Sequence, residues 1–129
     1  MTSPTPDEMI AALEAQGNFR VLRRLHPIEP MREVPTGARR AVLVDVETTG
    51  LDPSKDEIIE LAMVSFFYSA NDEIVGIGDS FSALRQPSRP ISAEVTKLTG
   101  IDSAMVAGKS IDPADVAAFA DGNLVIAHN

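Results

Sequence analysis

The chain has 129 residues, enough for one domain with a buried core, and its 44% apolar and 23% charged residues are ordinary for a globular protein. With 11 basic against 19 acidic side chains it carries a net charge of −8, which argues against a protein that coats nucleic acid non-specifically. Cysteine is absent and there are two histidines, His26 and His128, so disulfides, thiolate metal sites and histidine-rich zinc sites are excluded. No uncharged apolar run reaches the roughly 18 residues a membrane helix needs. MTSPTPDEMI has neither a basic n-region nor an apolar h-region, so a cytoplasmic protein without a membrane partner is expected. The charge is uneven. Residues 19–40 hold six arginines against Glu29 and Glu33, whereas residues 41–129 hold five basic and fourteen acidic residues. A basic leader, 1–40, and an acidic body, 41–129, are the expected divisions.

Thr5-Pro6-Asp7-Glu8 reads as a capping box opening a helix, with Met9, Ile10 and Leu13 as its apolar stripe and Gly17 as its stop. A second short helix is expected with Phe19, Leu22 and Leu25 on one side and Arg20, Arg23 and Arg24 on the other. Those arginines suit guiding a substrate or docking a partner, and equally suit an amphipathic appendage. Pro27, Pro30, Pro35 and Gly37 mark an extended connector.

Ala41 to Glu47 alternates as a strand, with Val42, Val44 and Val46 on one face and Leu43, Asp45 and Glu47 on the other. A loop follows from Thr48 to Pro53. Glu57 to Tyr68 is a second strand, Asn71-Asp72 a turn, and Glu73 to about Leu84 a third strand, which Gly76 and Gly78 weaken or bulge. Short connections make these three an antiparallel meander. Ser92 caps a short helix stopped by Gly100, Asp102 caps a further turn, and Asp112-Pro113 opens a helix that ends at Asp121-Gly122. Leu124 to Ala127 is short and wholly apolar, as expected of a buried strand parallel to the first.

The carboxylates of Asp45 and Glu47 are the most informative pair. Two residues apart on a strand, they leave the same face with about 6.6 Å between their backbone positions. Carboxylates so placed can lean together on one Mg²⁺, whose ligands lie at about 2.1 Å, or hold two ions about 4 Å apart. Two exposed acids on the wet face of a sheet would show the same D-x-E spacing.

The run Asp45-Val46-Glu47-Thr48-Thr49-Gly50-Leu51, followed by Glu57-Ile58-Ile59-Glu60-Leu61-Ala62, resembles the first motif of the DEDD superfamily of 3′→5′ exonucleases. It is most similar to the branch of the proofreading epsilon subunit of bacterial DNA polymerase III. Leu98-Thr99-Gly100-Ile101-Asp102 and Leu124-Val125-Ile126-Ala127-His128-Asn129 resemble two later stretches of that family, in the same order. The resemblance implies an α/β, RNase H-like exonuclease fold, truncated here to the meander, the helices and the strand parallel to the first. It implies a two-ion site for Mg²⁺ or Mn²⁺, in which Asp45 bridges both ions and Glu47 holds the one that activates water. Single-stranded nucleic acid, DNA or RNA, would enter by its 3′ end, and a DNA polymerase subunit is the implied protein partner.

By the same resemblance Thr48 and Thr49 would touch the terminal nucleotide, with strand-end hydrogen bonding as the alternative for their hydroxyls. Gly50 would permit a positive φ or a close substrate approach. Leu51 would wedge against the terminal bases or serve as a core leucine. Glu60, His128 and Asn129 would support the site rather than ligate metal. His26 reads as a solvated loop residue, and Lys55, Arg85 and Arg89 as phosphate contacts or solvated surface. The family's other two metal carboxylates and its histidine base would follow Asn129, so the 129 residues alone are expected to lack useful nuclease activity. Two other readings compete. One is a non-catalytic RNase H-like module that binds nucleic acid or a polymerase. The other is a small acidic cation-binding domain.

Overall fold

The computed structural model describes residues 3–24, 26 and 28–127. Helix α1 (Pro6–Glu14) is capped by Thr5, whose side chain accepts from the Glu8 amide while the Glu8 carboxylate returns to the Thr5 amide at 2.7 Å. Gly17 follows at φ 74°, in the conformation that ends helices. The second leader helix does not form: residues 19–24 are irregular, with Leu25 outside the described residues. A six-residue amphipathic stretch is too short to hold a helix without a surface against its apolar side. Here Phe19 and Leu22 remain exposed, and Arg23 pairs instead with Asp7.

Strands β1 (Arg39–Thr48), β2 (Ile58–Tyr68) and β3 (Ile74–Leu84) form the expected antiparallel meander. The β2–β3 turn places Asp72 at φ 61°, a conformation Asp tolerates. Strand β4 (Leu124–Ala127) pairs with β1 in parallel, giving the sheet order β3-β2-β1-β4. Register steps opposite Ser65 and beside Tyr68 put extra residues on β3, next to Gly78 and Gly76. A Cβ at either glycine would meet a neighbouring side chain. A Cβ on Gly78 would run into the Ser65 hydroxyl and come within 3.3 Å of the Phe67 ring. A Cβ on Gly76 would collide with Met31. The connector thus crosses the free edge of β3, where the Met31 amide donates to the Ile77 carbonyl at 2.7 Å.

The two faces of the sheet differ. Ile59, Met63, Ser65 and Phe67 of β2 are buried on one face. Helices α2 (Ala93–Thr99), α3 (Ser103–Val106) and α4 (Pro113–Ala120) cover it. Ile59 meets Ile101 and Val106, with Ile91 and Val95 against them. Phe119 of α4 lies 6.0 Å from the Phe81 ring, and the Arg40 guanidinium sits 4.8 Å above it while donating to its carbonyl at 2.9 Å. Each helix takes the expected cap: Ser92, Asp102 and Asp112 accept from amides of the first turn, and Gly100 closes α2 at φ 78°. On the opposite face Leu43 is 42% exposed and Asp45 is also exposed.

The apolar β4 is not buried as expected, since all four of its residues are exposed. It is an edge strand beside β1, and Leu124, Val125 and Ile126 remain 55%, 48% and 37% exposed. No helix among the described residues is long and apolar enough to cross a membrane.

Candidate functional site

The site is built on β1, which lies between β2 and β4. Asp45 and Glu47 project from the face the helices leave open, Asp45 exposed and Glu47 half-buried. Across the ladder Asp45 faces Ala62 and Glu47 faces Glu60, so three carboxylates share one face within two rungs. Glu60 is turned toward β3, where its Oε1 accepts from Ser82 Oγ at 3.4 Å. None of the three ion pairs among the described residues uses Asp45, Glu47 or Glu60. Like charges directly opposite on a ladder repel by a few tenths to about 1 kcal/mol. Hard, anionic oxygens left without a cation suit Mg²⁺ or Mn²⁺ chemically. Among the described residues no group of three or more His, Cys, Asp or Glu side chains is drawn into one cluster, so the donor set fits part of such a site.

Beside Asp45 an apolar groove runs across the open face, lined by Leu43, Ala62, Val64, Ser80 and Ser82.

After Glu47 the ladder slips one residue, and Thr48 pairs with Ile58. The loop this releases is heavily self-bonded. Thr48 Oγ1 donates to the Gly50 carbonyl at 2.5 Å. Thr49 Oγ1 donates to Asp56 Oδ1 at 3.0 Å and accepts from the Glu57 amide at 3.0 Å. Both hydroxyls are therefore engaged in strand-end bonding. Gly50 does not have positive φ, contrary to that half of the expectation. A Cβ there would force the Asp56 carboxylate to shift, since its Cγ lies 2.7 Å from the ideal position. Leu51 is no core leucine: its side chain is 99% exposed, the most open large apolar group of those described.

The three cations near the loop are tied within it. Lys55 pairs with Asp52 at 2.9 Å, Arg85 with Glu57 at 3.4 Å, and Arg89 donates to the Lys55 carbonyl at 2.8 Å. The Ser88 amide and hydroxyl donate to Glu57 Oε2 at 2.8 and 2.5 Å, and these bonds hold the Glu57 carboxyl below its ordinary value. Asp52 is lowered likewise, by Lys55 first and then by the Ser54 side chain and amide. His26 is exposed, whereas His128 and Asn129 lie outside the described residues.

Sequence reasoning passed over Asp56 and Ser88 and gave Glu57 no role beyond its place in the motif. The available signal was the Asp52-Pro53 turn start with a second aspartate four residues on, the spacing of a loop closed on itself.

The profile of the RNase_T family, described as Exonuclease, matches residues 42–129. The chain belongs to that exonuclease family. It is one of the DEDD superfamily, and the sheet order with β1 parallel to β4 is the RNase H-like exonuclease fold. DNA polymerase III PolC-type of Caldanaerobacter subterraneus subsp. tengcongensis is 41% identical over 91 residues, covering 68% of this chain and 6% of that protein. A DNA polymerase III subunit epsilon-like protein of Rhodobacter capsulatus is 38% identical over 104 residues, covering 77% of this chain and 14% of its own length. The chain therefore spans a small part of these relatives. Among solved structures, exonuclease X in complex with 5′ overhanging duplex DNA superposes with a TM-score of 0.51 at 30% identity, over 69% of this chain and 48% of that one. A product-bound exonuclease I gives 0.52 at 17% identity over 70% of this chain and 22% of that one, a likeness of fold alone.

Proposed function

We propose that this chain carries the front part of a metal-dependent 3′→5′ exonuclease domain that trims DNA from its 3′ end, of the proofreading or repair kind. The observation that carries the reading is the placement of Asp45 and Glu47 side by side on the open face of β1, inside the stretch that matches the exonuclease family. Residues 41–129 form this part of the domain, and residues 1–40 are an appendage to it.

In this reading Asp45 and Glu47 would together hold Mg²⁺ or Mn²⁺ at the open face of β1. Bound divalent ions lower the pKa of water and neutralise charge on an in-line phosphoryl transition state. The chain's own residues bind and orient. Asp45 and Glu47 fix the ion positions. Thr48, Thr49 and Gly50 face the terminal nucleotide, with the Gly50 amide as the group they offer, since the two threonine hydroxyls, the Thr49 amide and the Gly50 carbonyl are engaged within the loop. Leu51 meets the terminal base. Glu60, opposite Glu47, adds negative potential without ligating. The two strongest supports for DNA over RNA are the polymerase III relatives and the DNA held by exonuclease X. The former also favour a DNA polymerase as partner, in the cytoplasm.

Two carboxylates leave most of a Mg²⁺ coordination shell to water. The 129 residues are therefore expected to bind metal and a dT oligonucleotide without releasing nucleotides. Calorimetric titration with Mn²⁺ and the oligonucleotide tests this. The reading expects oligonucleotide binding that Mn²⁺ strengthens and Asp45→Ala abolishes. Binding indifferent to both Mn²⁺ and Asp45→Ala would overturn it in favour of a non-catalytic binding module. Asp45-sensitive release of 3′ nucleotides by the 129 residues would overturn the expected inactivity.

A further inference from the structure

Of the side chains that hold the loop between β1 and β2, one has no role in the site as described so far. Asp56 Oδ1 accepts from Thr49 Oγ1 at 3.0 Å and Asp56 Oδ2 from the Asp52 amide at 2.9 Å. Its own amide donates back to the Asp52 carbonyl at 2.8 Å. Its carboxylate also fills the space beside Gly50 that any Cβ would need. One half-buried carboxylate thus grips Thr49 and Asp52, the residues on either side of Gly50-Leu51, and packs on Gly50 itself. Between the two grips Leu51 stands 99% exposed. A large apolar side chain held out in water by a closed backbone gains nothing from the fold. Its free energy is recovered only when a flat apolar surface covers it.

We propose that Asp56 is a positioning residue: by clamping Thr49 and Asp52 it holds Leu51 preformed for contact with the terminal base of a DNA 3′ end. The inference rests on the reading of Thr48–Leu51 as the nucleotide-facing loop. A loop ordered before binding spends none of the binding free energy on ordering itself, so loss of the clamp weakens binding. Asp56 touches neither metal nor nucleotide in this scheme, and its effect passes through Leu51.

The test is a cycle of variants of the 129-residue chain, read by fluorescence anisotropy with a labelled dT oligonucleotide in Mn²⁺. Leu51→Ala and Asp56→Ala should each weaken binding by about tenfold, and the double variant should be no weaker than Leu51→Ala alone. Asp56→Asn keeps the shape and one acceptor and should fall between wild type and Asp56→Ala. Amide exchange at Asp52 should speed up at least about tenfold in Asp56→Ala while the β1–β2 ladder stays protected. If Leu51→Ala weakens binding and Asp56→Ala and Asp56→Asn do not, the clamp is overturned and the nucleotide-facing loop stands. If Leu51→Ala is without effect, that reading falls and takes the proposal with it. If the losses from Leu51→Ala and Asp56→Ala simply add, Asp56 acts elsewhere and the proposal is overturned.

Discussion

Gly50→Ala is the sharpest perturbation of the loop that follows the carboxylate pair. Gly50 has no positive φ, so alanine is compatible with the backbone and the substitution should be harmless or slightly stabilising on conformational grounds. Its space decides otherwise. The added methyl would sit 2.7 Å from the Asp56 Cγ and 2.8 Å from its Oδ1, well inside contact distance. Asp56 cannot retreat without releasing the Thr49 hydroxyl and the Asp52 amide. Overpacking costs about 1–3 kcal/mol, and two carboxylate hydrogen bonds at a half-buried site are of comparable size. A net loss of about 2 kcal/mol is expected, read as a lower urea midpoint with unchanged slope. In an Asp56→Ala background the obstruction is gone, and the same Gly50→Ala change should cost less than about 0.5 kcal/mol. Equal losses in both backgrounds would refute the steric argument.

Other consequences follow from the same contacts. Gly78→Ala should cost about 1–3 kcal/mol by urea unfolding, because its methyl meets the buried Ser65 hydroxyl, and Ser65→Gly should recover part of that loss. Glu60→Gln removes a like charge opposite Glu47 and should stabilise the chain by about 0.2–1 kcal/mol in chelator, with a smaller gain in Mg²⁺, measured by thermal melting. Glu57 has a lowered pKa, so its contribution to stability is present above its ordinary value of 4.5 and fades as pH falls below it. Glu57→Gln should therefore flatten the stability profile in that acid range.

Much of the fold was legible in the sequence because its signals are local. The Thr5 capping box, the caps at Ser92, Asp102 and Asp112, and the stop at Gly100 each depend on a few neighbouring residues, and each formed. The alternation of Ala41–Glu47 placed Asp45 and Glu47 on one face without reference to the rest of the chain. Non-local outcomes were harder to read. Nothing in Leu124–Ala127 says whether a layer covers it, and here all four residues are exposed. The amphipathic stretch at 19–24 carries a helical pattern but gains no tertiary surface to hold it. Gly50 reads equally as a positive-φ glycine or a site of close approach, because Asp56 is six residues away and its grip arises only once the loop closes. Leu51 has the composition of a core residue, and only the closed loop shows that it points outward.

The most direct test of the central claim is localised paramagnetic broadening by Mn²⁺ on the isotope-labelled 129-residue chain. The account predicts that substoichiometric Mn²⁺ broadens the amides of Asp45, Val46 and Glu47 and their ladder partners Glu60 to Ala62 first, and that Asp45→Asn abolishes the effect. Broadening centred elsewhere, on Asp52 and Asp56 or on Asp112 and Asp115, or broadening that survives Asp45→Asn, would contradict it.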